Sequence, residues 1–111
     1  AVLKLREERE PDIWTGARPE KDAEPQFPLG QIVSTPGALE SINPIEIMTA
    51  IARHHRGDWG ECCTEDWESN EEGLREGFRL FSVYRSGRGE RFWIITEADR
   101  SATTLLLPSE Y

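Results

Sequence analysis

Apolar residues follow three different patterns along this 111-residue chain. Over residues 1–26 they are few and scattered among prolines and charges, which is typical of an extended or flexible arm; the run Val2–Leu5 could add a strand if something docks it. Between residues 35 and 77 they recur at three- and four-residue steps, as on one side of a helix. From residue 78 onward they alternate or run together, as in strands. We therefore expect an arm over 1–26 and a single domain over 27–111.

The segment PIEIMTAIARHH is predicted to be a helix by its ends as well as by its spacing. Asn43 can cap it, a proline occupies the first helical position, and Glu46 can bond back to the cap. Gly57 is well placed to end it in the left-handed conformation. A shorter helix with the same arrangement of cap and proline is predicted just before it. The stripe expected to face the core comprises Ile45, Met48, Ile51, Ala52 and His55.

A second helix is predicted over about Thr64–Gly77, because its residues divide into an apolar and an acidic face. The face expected to be buried comprises Cys63, Trp67, Asn70, Leu74 and Gly77. The opposite face carries Glu65, Glu68, Glu72 and Glu76. Asn70 is the unusual member, because an amide on an apolar face must find hydrogen-bond partners once it is buried.

The last third of the chain predicts an antiparallel sheet. RLFSVYRS and RFWIITEA should form a hairpin around a glycine-rich turn, TTLLLP adds a third strand, and Gln31–Ser34 is expected to join as a fourth. The predicted fold class is therefore α+β, with N-terminal helices packed on a C-terminal three- to four-stranded antiparallel sheet.

The aromatic residues of the hairpin suggest that both faces of this sheet are apolar. We expect Tyr84 and Trp93 to pack against Trp67, with Phe81 and Phe92 on the opposite face. One layer of helices cannot cover both faces. An uncovered face would suit a partner protein or a second copy of the chain, as in a homodimer.

Charge and cysteine content narrow the range of functions. The net charge is −8, and seven acids against one base lie between Glu61 and Glu76, so direct binding to nucleic-acid phosphates is disfavoured. The two cysteines are adjacent, where a disulfide would be strained and would close no useful loop, so we expect thiols and a reducing compartment. No apolar run approaches the ~20 residues of a membrane span. These features predict a soluble cytoplasmic protein that does not bind a membrane.

The stretch HHRGDWGECCTED, from His54 to Asp66, gathers side chains that could bind a metal, catalyse a reaction or join two helices. Neighbouring helical residues point about 100° apart and no Cys-x2-Cys pair is present, so we expect no metal or cofactor. As a joint, Asp58 would cap the next helix and Cys63 would be a small buried group. As a catalytic site, His54 would be oriented by Asp58, and Cys63 would be a thiol activated at a helix N-terminus.

A second polar group lies in ITEADRSATT, where Glu97, Asp99 and Arg100 crowd a turn between two strands. An arginine between two carboxylates usually forms a surface ion pair that stabilises little. Binding groups also sit on the loops of a rigid sheet, and the fork of Arg100 could hold a carboxylate or phosphate through two parallel bonds.

Three segments, FPLGQIVSTPGALE, RHHRGDWGECCTEDWESN and FWIITEADRSATTLLLPSEY, resemble a family of small bacterial "plasmid-related" proteins that are often found on mobile elements. The resemblance covers Phe27–Tyr111. Cys62 departs from the family pattern, which has an aliphatic residue there, so Cys63 is the candidate thiol. The residues that the resemblance carries over are His54, Gly57, Asp58, Trp59, Gly60, Cys63, Asp66, Asn70, Glu97, Asp99 and Arg100.

Two classes of function are consistent with these patterns. The first is a protein-interaction or accessory module of a mobile element, with an unknown protein as its partner; in a weaker variant its acidic helix imitates a DNA backbone and blocks restriction. The second is a small enzyme or ligand-binding protein, whose polar site is formed by the GDWG loop and the TEADRS turn. The second class requires these two motifs to lie side by side, whereas DNA mimicry requires the acids of 61–76 to form a continuous exposed stripe. We favour the interaction module.

Overall fold

Within the described residues, Ile13 and 24–111, the computed structural model contains three α-helices and one four-stranded sheet, which confirms the α+β class. All three helices precede the last three strands, as predicted. The candidate strand Val2–Leu5 and most of the expected arm lie outside the described residues. In chain order the elements are β1 (Gln31–Ser34), α1 (Pro36–Ser41), α2 (Pro44–His55), α3 (Thr64–Glu76), β2 (Leu80–Arg85), β3 (Arg91–Thr96), β4 (Ala102–Leu106) and a 3-10 turn (Pro108–Glu110).

The strands are ordered β1-β4-β3-β2 across the sheet. The hairpin β2–β3 and the pair β3–β4 are antiparallel, as predicted. The prediction is wrong for β1, which runs parallel to β4, so the sheet is mixed. Three helices and two strands separate β1 from β4 along the chain. A connection of that length lets the chain return to the end of the sheet where β1 began, which parallel pairing requires.

The hairpin register places its aromatic residues differently from the prediction. Tyr84 lies opposite Phe92, with ring centroids 5.9 Å apart, whereas Phe81 and Trp93 share the other face with ring centroids 5.0 Å apart. The expected grouping of Tyr84 with Trp93 is therefore wrong. The turn explains the difference, because the last backbone-paired residues enclose three residues, Gly87–Gly89. With an odd number of loop residues, each even-numbered residue of β2 lies opposite an even-numbered residue of β3, and each odd-numbered residue opposite an odd-numbered one. This pairing decides which side chains share a face.

Both faces of the sheet are buried, in contrast to the expected uncovered face. Helix α3 contributes Trp67 to one cluster, which also holds Trp93 as predicted, while α1 and α2 contribute Ala38 and Ala50 to the other. The first cluster comprises Phe27, Trp59, Cys62, Trp67, Leu80, Phe81, Val83, Trp93, Ile95 and Leu106. The second comprises Ala38, Ile42, Ala50, Tyr84, Phe92, Ile94 and Leu105. Any contact with a second copy must therefore use an edge or a helix surface.

The buried stripe of α2 shares Ile51 with the predicted one but otherwise consists of different residues. Ile45 and Met48 are 74% and 71% exposed, and Ala50 and His54 are buried in their place. Both stripes satisfy the three- and four-residue spacing of a helix, so periodicity alone does not choose between them. The buried stripe contains a histidine, which hydrophobicity ranks below isoleucine and methionine. Its hydrogen-bond partners, described below, make the burial favourable.

Both ends of α2 have the predicted capping residues. The Asn43 side chain accepts from the backbone N–H of Ile45 at 2.8 Å. At the other end Gly57 has φ +85°, and the N–H groups of Gly57 and Asp58 bond back to the carbonyls of His54 and Arg53, which is a Schellman motif. Glu46 is engaged outside the helix, because its carboxylate accepts from the Gly87 N–H in the hairpin turn at 2.7 Å.

Candidate functional site

Asp58 lies in the joint between α2 and α3 but does not cap α3. The N-cap of α3 is Cys63, whose sulfur accepts from the Asp66 N–H at 3.4 Å. The Asp58 carboxylate pairs with Arg53, Oδ2 to Nε at 2.9 Å, and accepts from the Gly60 N–H at 3.2 Å. The predicted capping role of Asp58 is therefore wrong. The cause is that the residues after Asp58 are extended along the sheet, which delays the start of the helix.

Residues 59–61 close the outer edge of β2. The Val83 N–H donates to the Trp59 carbonyl at 3.2 Å, and the Glu61 N–H donates to the Val83 carbonyl at 2.7 Å. Gly60, at the centre of this pairing, has φ +73°, and a Cβ built there would lie 2.0 Å from the Val83 carbonyl oxygen. Only glycine fits this close approach. The glycine in GDWG is thus required for pairing with the sheet edge.

Asn70 closes the same edge of β2 at Phe81, two residues before Val83. Its Oδ1 accepts from the Phe81 N–H at 3.0 Å, and its Nδ2 donates to the Phe81 carbonyl at 2.6 Å. The Cys62 thiol donates to the same carbonyl at 3.1 Å. The amide therefore satisfies both backbone groups of Phe81 in the way that a neighbouring strand would. A buried amide needs hydrogen-bond partners, and the backbone of Phe81 provides them.

His54 lies in the interior and is not oriented by Asp58, as the catalytic interpretation required. Its side chain is fully buried, with Nδ1 2.5 Å from the Ser82 hydroxyl and Nε2 2.8 Å from the Thr96 hydroxyl. Thr96 in turn lies 2.8 Å from the Thr103 hydroxyl, and Thr103 donates to the Leu29 carbonyl at 2.7 Å. The imidazole is the start of a buried chain of hydroxyl groups.

The end of this chain assigns the tautomer of His54. A threonine hydroxyl has one hydrogen, and Thr103 gives its hydrogen to a carbonyl, which can only accept. Thr96 must then donate to Thr103, and His54 must donate to Thr96 through Nε2–H. Nδ1 is left to accept from Ser82. Every member is satisfied by a neutral imidazole, whereas a second ring proton would require Ser82 to turn its own hydroxyl hydrogen away from Nδ1.

Burial above all, together with the electrostatic effect of the neighbouring His55 and Arg100, lowers the pKa of His54 from 6.5 to about 3. The direction agrees with the hydrogen-bond chain, which favours the neutral ring. A buried neutral histidine without access to solvent is not positioned for acid–base catalysis on a bound substrate.

Cys63 and Asp66 are both buried at the start of α3, with 6% and 3% of their surfaces exposed. Cys63 stands at a helix N-terminus as predicted, and its sulfur contributes the capping bond. The two cysteines of the chain are thiols rather than a disulfide.

The TEADRS turn is held together by Arg100. Its guanidinium donates to the carbonyls of Phe78 at 2.7 Å, Gly73 at 3.0 Å and Glu97 at 3.1 Å, so it ties the end of α3 to the β3–β4 turn. These carbonyls occupy the fork that the sequence suggested for a carboxylate or phosphate ligand. Arg100 has φ +62°, the one non-glycine residue with positive φ among the described residues, so these bonds also offset a strained backbone.

The two acids of the turn have separate roles. Glu97 forms an ion pair with Arg79 at 3.8 Å, and both side chains are exposed. Asp99 accepts from the Ser101 N–H at 3.0 Å, and hydrogen bonds to Ser101 lower the pKa of the Asp99 carboxyl. Asp99 is thus a turn-forming residue, as its position between two strands suggested.

Phe27 brings the two motifs together. Its ring centroid lies 5.3 Å from that of His54 and 6.1 Å from that of Trp59, and the Arg100 guanidinium carbon lies 5.7 Å from the ring. The GDWG joint and the TEADRS turn are therefore neighbours across one aromatic ring. The candidate residues His54, Asn70 and Arg100 nevertheless direct their polar atoms into internal bonds rather than into a shared cleft. The sequence signal for Phe27 is weak, a lone aromatic residue between two nearby prolines.

Arg100 provides a direct test of this structural role. We expect Arg100→Ala to lower the free energy of unfolding by roughly 2–3 kcal/mol, because it removes charge-assisted bonds to several carbonyls. Arg100→Gly should be less harmful by about 1 kcal/mol, because glycine relieves the positive φ. Urea denaturation measures both changes. Arg79→Ala, which removes the exposed ion pair to Glu97 and the exposed contacts with Tyr111, should cost under about 1 kcal/mol. Equal effects of the alanine and glycine variants at position 100 would show that the positive φ of Arg100 does not strain the backbone.

The seven acids of 61–76 do not form one exposed stripe. Asp66 is buried, Glu61 pairs with Arg85 at 3.1 Å, and Glu71 accepts from the Trp59 indole N–H at 2.8 Å. The exposed acidic face of α3 consists of Glu65, Glu68, Glu72 and Glu76.

Exposed apolar side chains concentrate where α1 meets α2. Leu39, Ile45 and Met48 are 61%, 74% and 71% exposed. Beside them is an open cavity of about 560 Å³, lined by residues 39–46 together with Gly87 and Arg88 of the hairpin turn. We call residues 39–48 with Gly87 and Arg88 the α1–α2 corner. The sequence did not identify this surface, because it assigned Ile45 and Met48 to the core.

Among the residues that the structure describes, no three His, Cys, Asp or Glu side chains are placed to hold a metal ion together. In the same part of the chain, no helix has the length and apolar character needed to cross a membrane. No protein-family model, curated protein or solved structure matches the sequence. The resemblance to plasmid-related proteins therefore stays a prediction.

Proposed function

We propose that this chain is a protein-interaction module, an accessory protein of a bacterial mobile element that acts in the reducing cytoplasm and binds its partner protein through the α1–α2 corner. The observation that carries the proposal is the exposure of Leu39 and Ile45 on the lining of one cavity, with the exposed Met48 three residues further along α2. Large apolar side chains that cluster on a surface typically mark an interaction site. The two buried thiols support the assignment to a reducing compartment.

The corner is built rigidly enough to serve as a docking surface. The Asn43 cap fixes the start of α2, and Glu46 holds the hairpin turn against it through the Gly87 N–H. A rigid surface loses little conformational freedom when it binds. An open cavity with an apolar rim suits an apolar or aromatic anchor from a partner protein, and Arg88 on its lining adds a charge-assisted contact.

The corner can be tested by cross-linked affinity purification from a bacterial extract, read by mass spectrometry. Ile45→Glu should lose the partner, with an affinity at least about 30-fold weaker, because a hot-spot residue contributes 2 kcal/mol or more. The fold should survive, since Ile45 is largely exposed.

Phe78→Glu is the matched control, because Phe78 is 49% exposed and lies outside the corner. The proposal requires one protein to be enriched by the wild type and by Phe78→Glu, and to be lost with Ile45→Glu. A partner that is unaffected by Ile45→Glu, or that both variants lose, would place the interface elsewhere.

A second candidate, a small-molecule site between the GDWG loop and the TEADRS turn, is favoured by one observation. Both motifs contact Phe27, so they lie side by side as such a site requires. It is the weaker candidate, because the polar atoms of His54 and Arg100 are engaged inside the protein. DNA mimicry is weaker still, since it would rest on the four exposed acids of α3.

A further inference from the structure

The two edges of the sheet differ in whether their outward backbone groups have hydrogen-bond partners among the described residues. At β2 the outward backbone groups of Phe81 are satisfied by Asn70, and those of Val83 by Trp59 and Glu61. The other edge is β1, whose residues 31–33 are exposed. An open strand edge normally carries a charge, a proline or a bulge that prevents pairing with other chains. The sequence of β1, QIVS, has none of these.

The outward groups of β1 can be identified from its pairing with β4. The N–H groups of Gln31 and Thr35 donate to the carbonyls of Ser101, just before β4, and Leu105, at 3.0 Å each. Backbone groups alternate in direction along a strand, so those of Ile32 and Ser34 point away from the sheet. No described residue forms a backbone hydrogen bond with them across this edge.

We propose that the β1 edge pairs with β1 of a second copy of this chain, so that two sheets join antiparallel into one eight-stranded sheet. A two-fold axis at Val33 would put Ile32 of each chain opposite Ser34 of the other. In an antiparallel ladder such a pair exchanges two N–H to carbonyl bonds. Both outward residues of both chains are then satisfied, so the edge is complementary to itself.

Charge supports a second copy as the occupant. The chain carries −8, so most self-contacts would bring acids together, whereas β1 is uncharged. The exposed apolar surface of Ile32 and Val33, 50% and 38% respectively, would be covered by the pairing. A single short strand pair buries less than the ~1,200 Å² of a standard interface, so we expect a dimer that forms at micromolar concentrations or above. This surface shares no residue with the α1–α2 corner, so either proposal can be wrong without contradicting the other.

The register can be tested by introducing one additional cysteine at a time into the full chain and oxidising it mildly; the chain's own two thiols are buried. Val33 would face its own symmetry mate as a non-hydrogen-bonded pair, with Cα atoms about 4.5 Å apart, within disulfide range. Val33→Cys should therefore form a disulfide-linked dimer rapidly. Ile32→Cys is the matched control: it is more exposed but would face Ser34 of the other chain, so it should link at least ~10-fold more slowly.

Sedimentation velocity of the chain without added cysteines provides the second measurement. The mass should rise with concentration toward twice the 12.7 kDa of one chain, and Ile32→Lys should shift the association to higher concentration. Phe78→Lys, at an equally exposed apolar residue outside both β1 and the α1–α2 corner, should leave the association unchanged. A chain that stays monomeric at millimolar concentration, or equal linking rates at positions 32 and 33, would overturn the proposal. Loss of partner binding in Ile45→Glu would not affect this result.

Discussion

Replacing Asn70 with leucine should lower the free energy of unfolding by roughly 2–4 kcal/mol, although leucine has a similar size and is more hydrophobic. The loss is expected because the Asn70 amide is the partner of both the N–H and the carbonyl of Phe81. Phe81 is 3% exposed, so water cannot readily replace the amide. Each backbone group left buried and without its partner costs about 1–3 kcal/mol, and the Cys62 thiol compensates in part at the carbonyl.

Urea denaturation of Asn70→Leu and Ser69→Ala makes the comparison. Ser69 is exposed and adjacent to Asn70 on the same helix, so its replacement should change stability by less than about 0.5 kcal/mol. Asn70→Asp separates the two bonds: it keeps an acceptor for the Phe81 N–H but places a carboxylate oxygen against the Phe81 carbonyl. We expect it to be destabilising as well. A leucine variant as stable as the wild type would show that Asn70 is not needed to close the β2 edge.

The elements of this fold were largely predictable, because they depend on local signals. The Asn43 cap, Gly57 and the spacing of Trp67 and Leu74 identified two helices, and two apolar segments around a glycine-rich turn identified β2 and β3. The direction of β1 was not predictable, because the polarity of an edge strand depends on how the whole chain returns to the sheet and not on its own four residues.

The roles of the candidate residues were less predictable, for a physical reason. Sequence marks His54, Asn70 and Arg100 as polar residues in unusual places, but a buried polar residue can serve structure or chemistry. The distinction lies in where its partners are, and these are distant in sequence: Ser82 for His54, Phe81 for Asn70, and the Gly73 carbonyl for Arg100. The same ambiguity hid the α1–α2 corner, because two helical stripes of α2 have equal periodicity and only the burial of His54 decides between them.

His54 should make the protein less stable as the pH falls below about 6.5. The folded protein holds its pKa at about 3 by burial, whereas an unfolded histidine titrates near 6.5. Between these values the unfolded chain binds one more proton than the folded chain, so stability rises with pH and its contribution is complete above the unfolded pKa. Acidification from pH 7.5 to 4.5 should therefore cost about 3 kcal/mol through His54 alone.

His54→Gln isolates this contribution, because glutamine can hydrogen-bond to Thr96 but does not titrate. The variant should be less stable than the wild type at pH 7.5, because glutamine does not reproduce the hydrogen bond between Nδ1 of His54 and the Ser82 hydroxyl. The decisive quantity is the pH dependence of the free energy of unfolding. On acidification from pH 7 to 5 this free energy should fall more steeply in the wild type than in the variant, by up to roughly 1.4 kcal/mol per pH unit, while the carboxylates contribute equally in both proteins. Should the variant fail to fold, the imidazole ¹⁵N shifts of the wild type report the same property. They should show an Nε2–H tautomer that persists down to pH 5. Equal slopes in the two proteins, or protonation of His54 near pH 6.5 in the folded state, would mean that burial does not hold the imidazole neutral.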